Sequence, residues 1–147
     1  MDYSQQLSLS YYKTISTLNK PHNIFLVQHQ DTNKIFVKKI LDIYNLDVYK
    51  ELLMHPIPGT PTISEFFEID GQLIIIESYI SGTSLSDVIK NRQLSLTDIA
   101  GYIVDLCDTL NHLHKLNPPV IHRDIKPSNI IITEHNHAAL IDFNAAK

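Results

Sequence analysis

Asp124, Lys126 and Asn129 place an acid, a base and an amide within six positions, between apolar flanks. A second acid, Asp142, follows eighteen residues after Asp124, behind the apolar run Ala138-Ala139-Leu140-Ile141. These types suit the transfer of an anionic group to a hydroxyl. Asp124 can orient the hydroxyl and take up its proton. Lys126 can reach the group in flight and offset its charge. The Asn129 amide oxygen and the Asp142 carboxylate are hard oxygen ligands of the kind magnesium prefers. Either acid alone would read as a solvated turn or a strand-end cap. Here both acids have apolar flanks. His122 and Arg123 are read as residues that shape the loop.

The elements that must position these groups change character along the chain. From about Tyr11 to Tyr79 the pattern is strand-like, with candidates at Asn23–His29 and Lys34–Leu41 joined by the turn residues Asp31-Thr32-Asn33. A helix is expected over Asp42–Met54 and must stop at His55-Pro56-Ile57-Pro58-Gly59-Thr60-Pro61. A second hairpin, Thr62–Glu68 with Gln72–Tyr79, turns at Asp70-Gly71. After Gly82 the period becomes helical. Ser84 with Asp87, and Ser95 with Asp98, have the form of capping boxes that open a short and a long helix. Leu96, Ile99, Ile103, Leu106, Leu110 and Leu113 make one apolar stripe on the long one. Cys107, inside that pattern, is expected to be a buried packing residue. Asn117-Pro118-Pro119 ends the helix, and short strands at Ile130–Thr133 and Ala138–Ile141 follow.

The run His122-Arg123-Asp124-Ile125-Lys126-Pro127-Ser128-Asn129 matches, without a gap, the pattern His-Arg-Asp-x-Lys-Pro-x-Asn of the protein kinase catalytic loop. Ile141-Asp142-Phe143-Asn144 is similar to the metal-binding segment of the same family. The chain thus resembles the N-terminal portion of the catalytic domain of a eukaryotic-like serine/threonine protein kinase of the bacterial type. The resemblance implies an α+β, protein-kinase-like fold. Residues 1–79 would form a five-stranded small lobe with one helix, and residues 80–147 the first part of the helical large lobe. It implies ATP and Mg2+ as cofactors, a protein substrate with a Ser or Thr acceptor, and ATP-dependent phosphoryl transfer. Asp124 and Lys126 would be catalytic, Asn129 and Asp142 metal ligands, with Asn129 also at the cofactor. The alternative is a pseudokinase or partner-binding module without turnover. A small-molecule kinase of the aminoglycoside type shares the fold, and Lys126 with Pro127 argues against it.

The resemblance also implies a lysine that anchors ATP, on the third strand after a small apolar residue facing adenine. Phe36-Val37-Lys38-Lys39-Ile40 offers two registers. Alternation puts Val37 and Lys39 on one face and Phe36 and Lys38 on the other. Lys39 is preferred because Phe36 would crowd adenine, and Lys38 stays as the alternative. The lysine's partner should be a glutamate on the next helix, where Glu51 is the candidate and a solvated helix face the other reading. Ile80 would supply the main-chain contact to adenine. Glu77 would guard the back of the pocket or pair with a nearby lysine. Two departures stand out. The segment Thr17-Leu18-Asn19-Lys20-Pro21-His22-Asn23, where the family carries a glycine-rich phosphate loop, has no glycine, and Asn144 stands where a glycine usually follows Asp-Phe. Asn tolerates unusual dihedrals better than most residues.

Composition bounds the partners. The 147 residues carry a formal charge of −4, which argues against nonspecific nucleic-acid or anionic-membrane binding. One cysteine permits no internal disulfide, which fits a reducing, cytoplasmic setting. No apolar run approaches the length of a membrane span. A chain that stops at Lys147 lacks the activation segment and peptide platform of such a kinase. By itself it is expected to leave part of the Leu96–Leu113 stripe exposed, to self-associate, and to show negligible transfer.

Overall fold

The computed structural model describes residues 3–147. Five strands, β1 (Tyr12–Asn19), β2 (Ile24–His29), β3 (Ile35–Leu41), β4 (Ile63–Ile69) and β5 (Gln72–Ser78), form one antiparallel sheet in the order β1-β2-β3-β5-β4. The β4–β5 hairpin closes through Asp70 and Gly71, both at positive φ (50° and 81°), with Ile69 paired to Gln72. That two-residue turn matches the twist of the strands it joins. Helix α2 (Leu46–Met54) lies between β3 and β4. It starts four residues later than its apolar pattern suggests, because the Asn45 side chain caps it by accepting from the Asp47 N–H.

The sheet has two packed faces. On one, Leu41, Ile63, Leu73 and Ile75 join Val48, Tyr49 and Leu52 of α2 in the main core. On the other, Tyr12, Val27, Phe67 and Ile76 form a smaller cluster, with Leu9 from helix α1 (Tyr3–Ser10) packed against it. Sequence patterning gave no sign of α1, which is weakly amphipathic and buries no residue fully. It is tied down by side chains instead: the Ser8 and Tyr12 hydroxyls both donate to the Glu65 carboxylate on β4.

The second part opens with β6 (Gly82–Ser84), too short for alternation to reveal. It pairs with β7 (Ile130–Thr133), which pairs in turn with β8 (Ala138–Leu140). Between them run α3 (Leu85–Asn91) and α4 (Leu96–His114). Ser84 caps α3 and a full Ser95/Asp98 capping box opens α4. The expected five-stranded small lobe with helix, followed by the start of a helical large lobe, is the architecture observed.

The stripe on α4 is divided. Leu113 is fully buried and Leu106 and Leu110 are half-buried, while Leu96 is 87% and Ile103 55% exposed. Cys107 is exposed, correcting its assignment to the core. The buried face runs through Tyr102, Thr109 and Leu113, and Cys107 lies about 200° around the helix from Thr109. No helix among the described residues is long and apolar enough to cross a membrane.

The prolyl stretch after α2 joins the two parts. Ile57 enters the main core, the Thr109 hydroxyl donates to the Pro58 carbonyl (3.2 Å), and the Leu140 N–H donates to the Gly59 carbonyl (2.7 Å). Gly59 is at φ 78°, and a Cβ there would lie 2.3 Å from the Thr109 Oγ1. Only glycine allows this approach of loop to helix.

Candidate active site

A cleft of about 550 Å³ runs between the inner face of the sheet and the loop that follows α4. Val37 and Lys39 of β3, Glu77 of β5 and Ile80 line it from one side. Asp124, Lys126, Asn129 and Asp142 line it from the other. Its volume lies within the range of small-molecule and cofactor sites.

The acid, base and amide of the loop meet one another. The Lys126 Nζ lies 2.8 Å from Asp124 Oδ2, and the Asn129 Nδ2 donates to Asp124 Oδ2 (2.9 Å) and to the Asp124 carbonyl (3.0 Å). With its NH2 turned to Asp124, the Asn129 amide leaves Oδ1 as its acceptor. The residue itself is buried and fixed by its backbone: its N–H donates to Lys126 O in a 3₁₀ turn over Pro127–Asn129, and its carbonyl accepts from the Ile141 N–H at 2.9 Å. The hydrogen bond from Lys126 holds the Asp124 carboxyl below the usual carboxylate range, and the same contact raises the Lys126 ammonium. Both groups are therefore charged at neutral pH.

His122 explains how two strained loops stay put. Arg123 and Asp142 both sit at positive φ (66° and 69°), a region that costs a non-glycine residue about 1–3 kcal/mol. The Asp124 N–H donates to His122 Nδ1 (3.3 Å), so Nδ1 must be unprotonated. Nε2 then carries the proton and donates to the Ile141 carbonyl (3.0 Å). One ring thus braces the residue after Arg123 and the residue before Asp142. It is 1% exposed and packs edge-on against Phe143, with ring centroids 4.8 Å apart.

Burial pushes the His122 imidazole below its ordinary value. The unfolded chain therefore binds the proton first, so this residue stabilises the fold above an unfolded value of about 6.5 and loses that contribution as pH falls. The unfolding free energy from denaturant titrations is expected to drop between pH 7 and pH 5, by no more than about 1.4 kcal/mol per pH unit from this residue. The His122 ring signals in an NMR titration should be those of the neutral Nε2–H form at neutral pH, with a midpoint below that of a free imidazole. A midpoint above that of a free imidazole would contradict the bracing role.

On the sheet side, Lys39 takes the cleft face together with Val37. Its Nζ lies 2.8 Å from Glu77 Oε1, each side chain being 5% exposed. Lys38 turns to the opposite face, where its Nζ stands 5.3 Å from the centre of the Phe25 ring and burial lowers its pKa. Glu51, the expected partner of the cleft lysine, is not among the residues lining the cleft, and its carboxylate lies 3.9 Å from His55. Between the two proposed roles of Glu77, the pairing with a lysine is the one seen. The glycine-free segment folds as the end of β1 followed by a tight turn over residues 20–23 into β2, with Asn23 at φ 52° and Leu18, Asn19 and His22 lining the cleft.

Tyr49 lies within the helix expected over Asp42–Met54, which assigned it no polar role. It is 2% exposed, and its hydroxyl donates to the Asn144 side-chain oxygen at 3.1 Å. Burial, with the nearby Glu77 and Asp142 charges, raises its pKa far above the ordinary phenol value, so it remains a donor. The available signal was chemical: a tyrosine on a buried helix face needs a polar partner.

Relatives place this geometry. The chain is 35% identical over 134 residues to the serine/threonine-protein kinase cds1 of Schizosaccharomyces pombe, covering 90% of this chain and 27% of that protein. It is 26% identical over 133 residues to the mouse serine/threonine-protein kinase DCLK3, covering 82% and 17%, and 30% identical over 131 residues to mouse Nek3, covering 83% and 25%. The chain thus spans about a quarter or less of the length of these curated relatives. Residues 22–147 match the protein kinase domain family, from the turn before β2 through the Asp142 segment, and the chain belongs to that family.

Proposed function

We propose that the complete protein transfers the terminal phosphoryl group of ATP to a serine or threonine hydroxyl of a protein substrate. The observation that carries this is the convergence of Lys39, Asp124, Lys126, Asn129 and Asp142 on one cleft. Residues 1–79 supply the nucleotide side and residues 80–147 the catalytic loop and metal segment. Val37 and the main chain at Ile80 receive adenine, and Lys39 holds the phosphates. Asp124, ionised and fixed by Lys126 and Asn129, orients the acceptor hydroxyl and accepts its proton. Lys126 moves its charge from Asp124 toward the transferred group.

The donor set fits magnesium. Asn129 Oδ1 and the Asp142 carboxylate are hard oxygens on the same wall, and magnesium takes one or two carboxylates together with waters and phosphate rather than a full protein cage. When bound, magnesium supplies charge neutralisation on the phosphates.

A second reading, a nucleotide- or partner-binding module without turnover, draws support from the glycine-free turn at residues 17–23. Titrating ATP with and without magnesium, followed by a peptide phosphorylation assay, separates them. Magnesium-dependent binding with transfer to Ser or Thr is expected. Binding without transfer selects the second reading, and no magnesium-dependent binding sinks the kinase reading.

A further inference from the structure

We propose that Glu77, a strand residue, is the positioning residue that holds Lys39 toward the phosphates of a bound nucleotide, in place of an acid on α2. The proposal deepens the kinase reading above and rests on it.

The pair is built into the centre of the sheet. Strands β3 and β5 are antiparallel neighbours, with Val37 opposite Glu77 and Lys39 opposite Ile75. Lys39 and Glu77 are therefore diagonal neighbours on one face, within reach of two long side chains. They meet at 2.8 Å, almost wholly out of solvent, where an unpaired charge would be costly. Both line the cleft, so the lysine is fixed from behind without leaving the nucleotide side.

Neither acid of helix α2 lines the cleft: the exposed Asp47 lies 3.4 Å from Lys50, and the Glu51 carboxylate lies 3.9 Å from His55. The polar tie from α2 runs instead to the metal-segment side, from the Tyr49 hydroxyl to Asn144. Holding the lysine and contacting the segment after Asp142 are thus two separate jobs done by two elements. The lysine's placement follows from strand register and does not require α2 to swing inward.

The test compares the complete wild-type protein with Glu77→Gln, Glu77→Asp and Glu51→Gln. The first readout is the acylation rate of Lys39 at pH 8 by a small amine-reactive reagent, mapped by mass spectrometry and normalised to Lys38 on the opposite face. Removing the carboxylate leaves a buried ammonium without its partner, which favours the neutral, reactive amine. Glu77→Gln is expected to raise the normalised rate at least ~5-fold, Glu77→Asp less, and Glu51→Gln not at all. A general loosening of the fold would raise Lys38 as well and cancel in the ratio. The second readout is MgATP affinity, expected to weaken ~10-fold or more in Glu77→Gln and to recover in part in Glu77→Asp.

An unchanged Lys39 ratio in Glu77→Gln overturns the proposal, as does an equal rise in Glu51→Gln. Wild-type affinity for MgATP in Glu77→Gln overturns the positioning role while leaving the kinase reading intact. Wild-type protein that binds no MgATP overturns the kinase reading, and the phosphate role with it. Where Glu77→Gln does not fold, the aspartate variant decides: a raised ratio supports the pair and an unchanged one refutes it.

Discussion

Asp124→Asn is expected to slow phosphoryl transfer by the complete protein about 10²–10⁴-fold, with MgATP affinity held within about threefold. The substitution keeps shape and removes the proton acceptor. An asparagine at 124 can still accept from Lys126 and from the Asn129 amide through its side-chain oxygen, so the loop has reason to stay in place. The carbonyl bond from Asn129 to residue 124 is untouched, since it uses the backbone. What disappears is a carboxylate kept ionised by Lys126, the group that on the proposed function takes the acceptor's proton. The loss should therefore fall on kcat. Lys126→Ala removes the cation that depresses Asp124 and, on the same reading, the charge that meets the transferred group, so it is the weaker diagnostic of the two. Retention of more than about a tenth of wild-type kcat in Asp124→Asn would remove the carboxylate from the proton-accepting role.

The loop could be read from sequence because its chemistry is local. Asp124, Lys126 and Asn129 lie within six positions, and a short turn with apolar flanks brings them together without help from distant elements. Alternation put Lys39 and Lys38 on opposite faces of the strand, and the choice between them needed the resemblance, through the crowding of adenine by Phe36. Caps at Ser84 and Ser95 located α3 and α4 for the same reason: the donor and acceptor are three residues apart. What escaped depends on register between elements far apart in the chain. Pairing of Glu77 with a lysine is one of its two sequence readings, but which lysine follows only from the pairing of β5 with β3 across the intervening α2 and β4. Tyr49 reaches Asn144 over 95 positions. Cys107 was misplaced because an apolar helix pattern shows that a stripe exists and not how far its edge extends. The exposure of Leu96 and Ile103 carries the same lesson.

The buried pair should dominate the stability of the sheet. Lys39→Met leaves the Glu77 carboxylate in a site where its side chain is 5% exposed, with Tyr49 and Asp142 nearby and no cation in contact. Breaking such a pair from one side costs about 3–5 kcal/mol, because the remaining charge has lost its partner and cannot recover its hydration. Glu77→Leu alone should cost a similar amount through the stranded ammonium. The double replacement Lys39→Met with Glu77→Leu removes both charges and fills the space with side chains of comparable volume. Val37, Ile75 and Leu73 around it are already apolar. Buried pairs exchanged for packed apolar groups are often neutral or stabilising, so the double variant is expected within about 1 kcal/mol of wild type. Urea denaturation of the four proteins closes the cycle, with an expected coupling of several kcal/mol. Additive losses would mean that Lys39 and Glu77 are independently solvated and that the 2.8 Å contact contributes nothing to the fold. If the proposed function holds, the double variant should nonetheless fail to bind MgATP, since among the described residues Lys39 is the lysine that lines the cleft from the sheet. A fold restored while binding is lost would separate what the pair does for stability from what it does for the nucleotide.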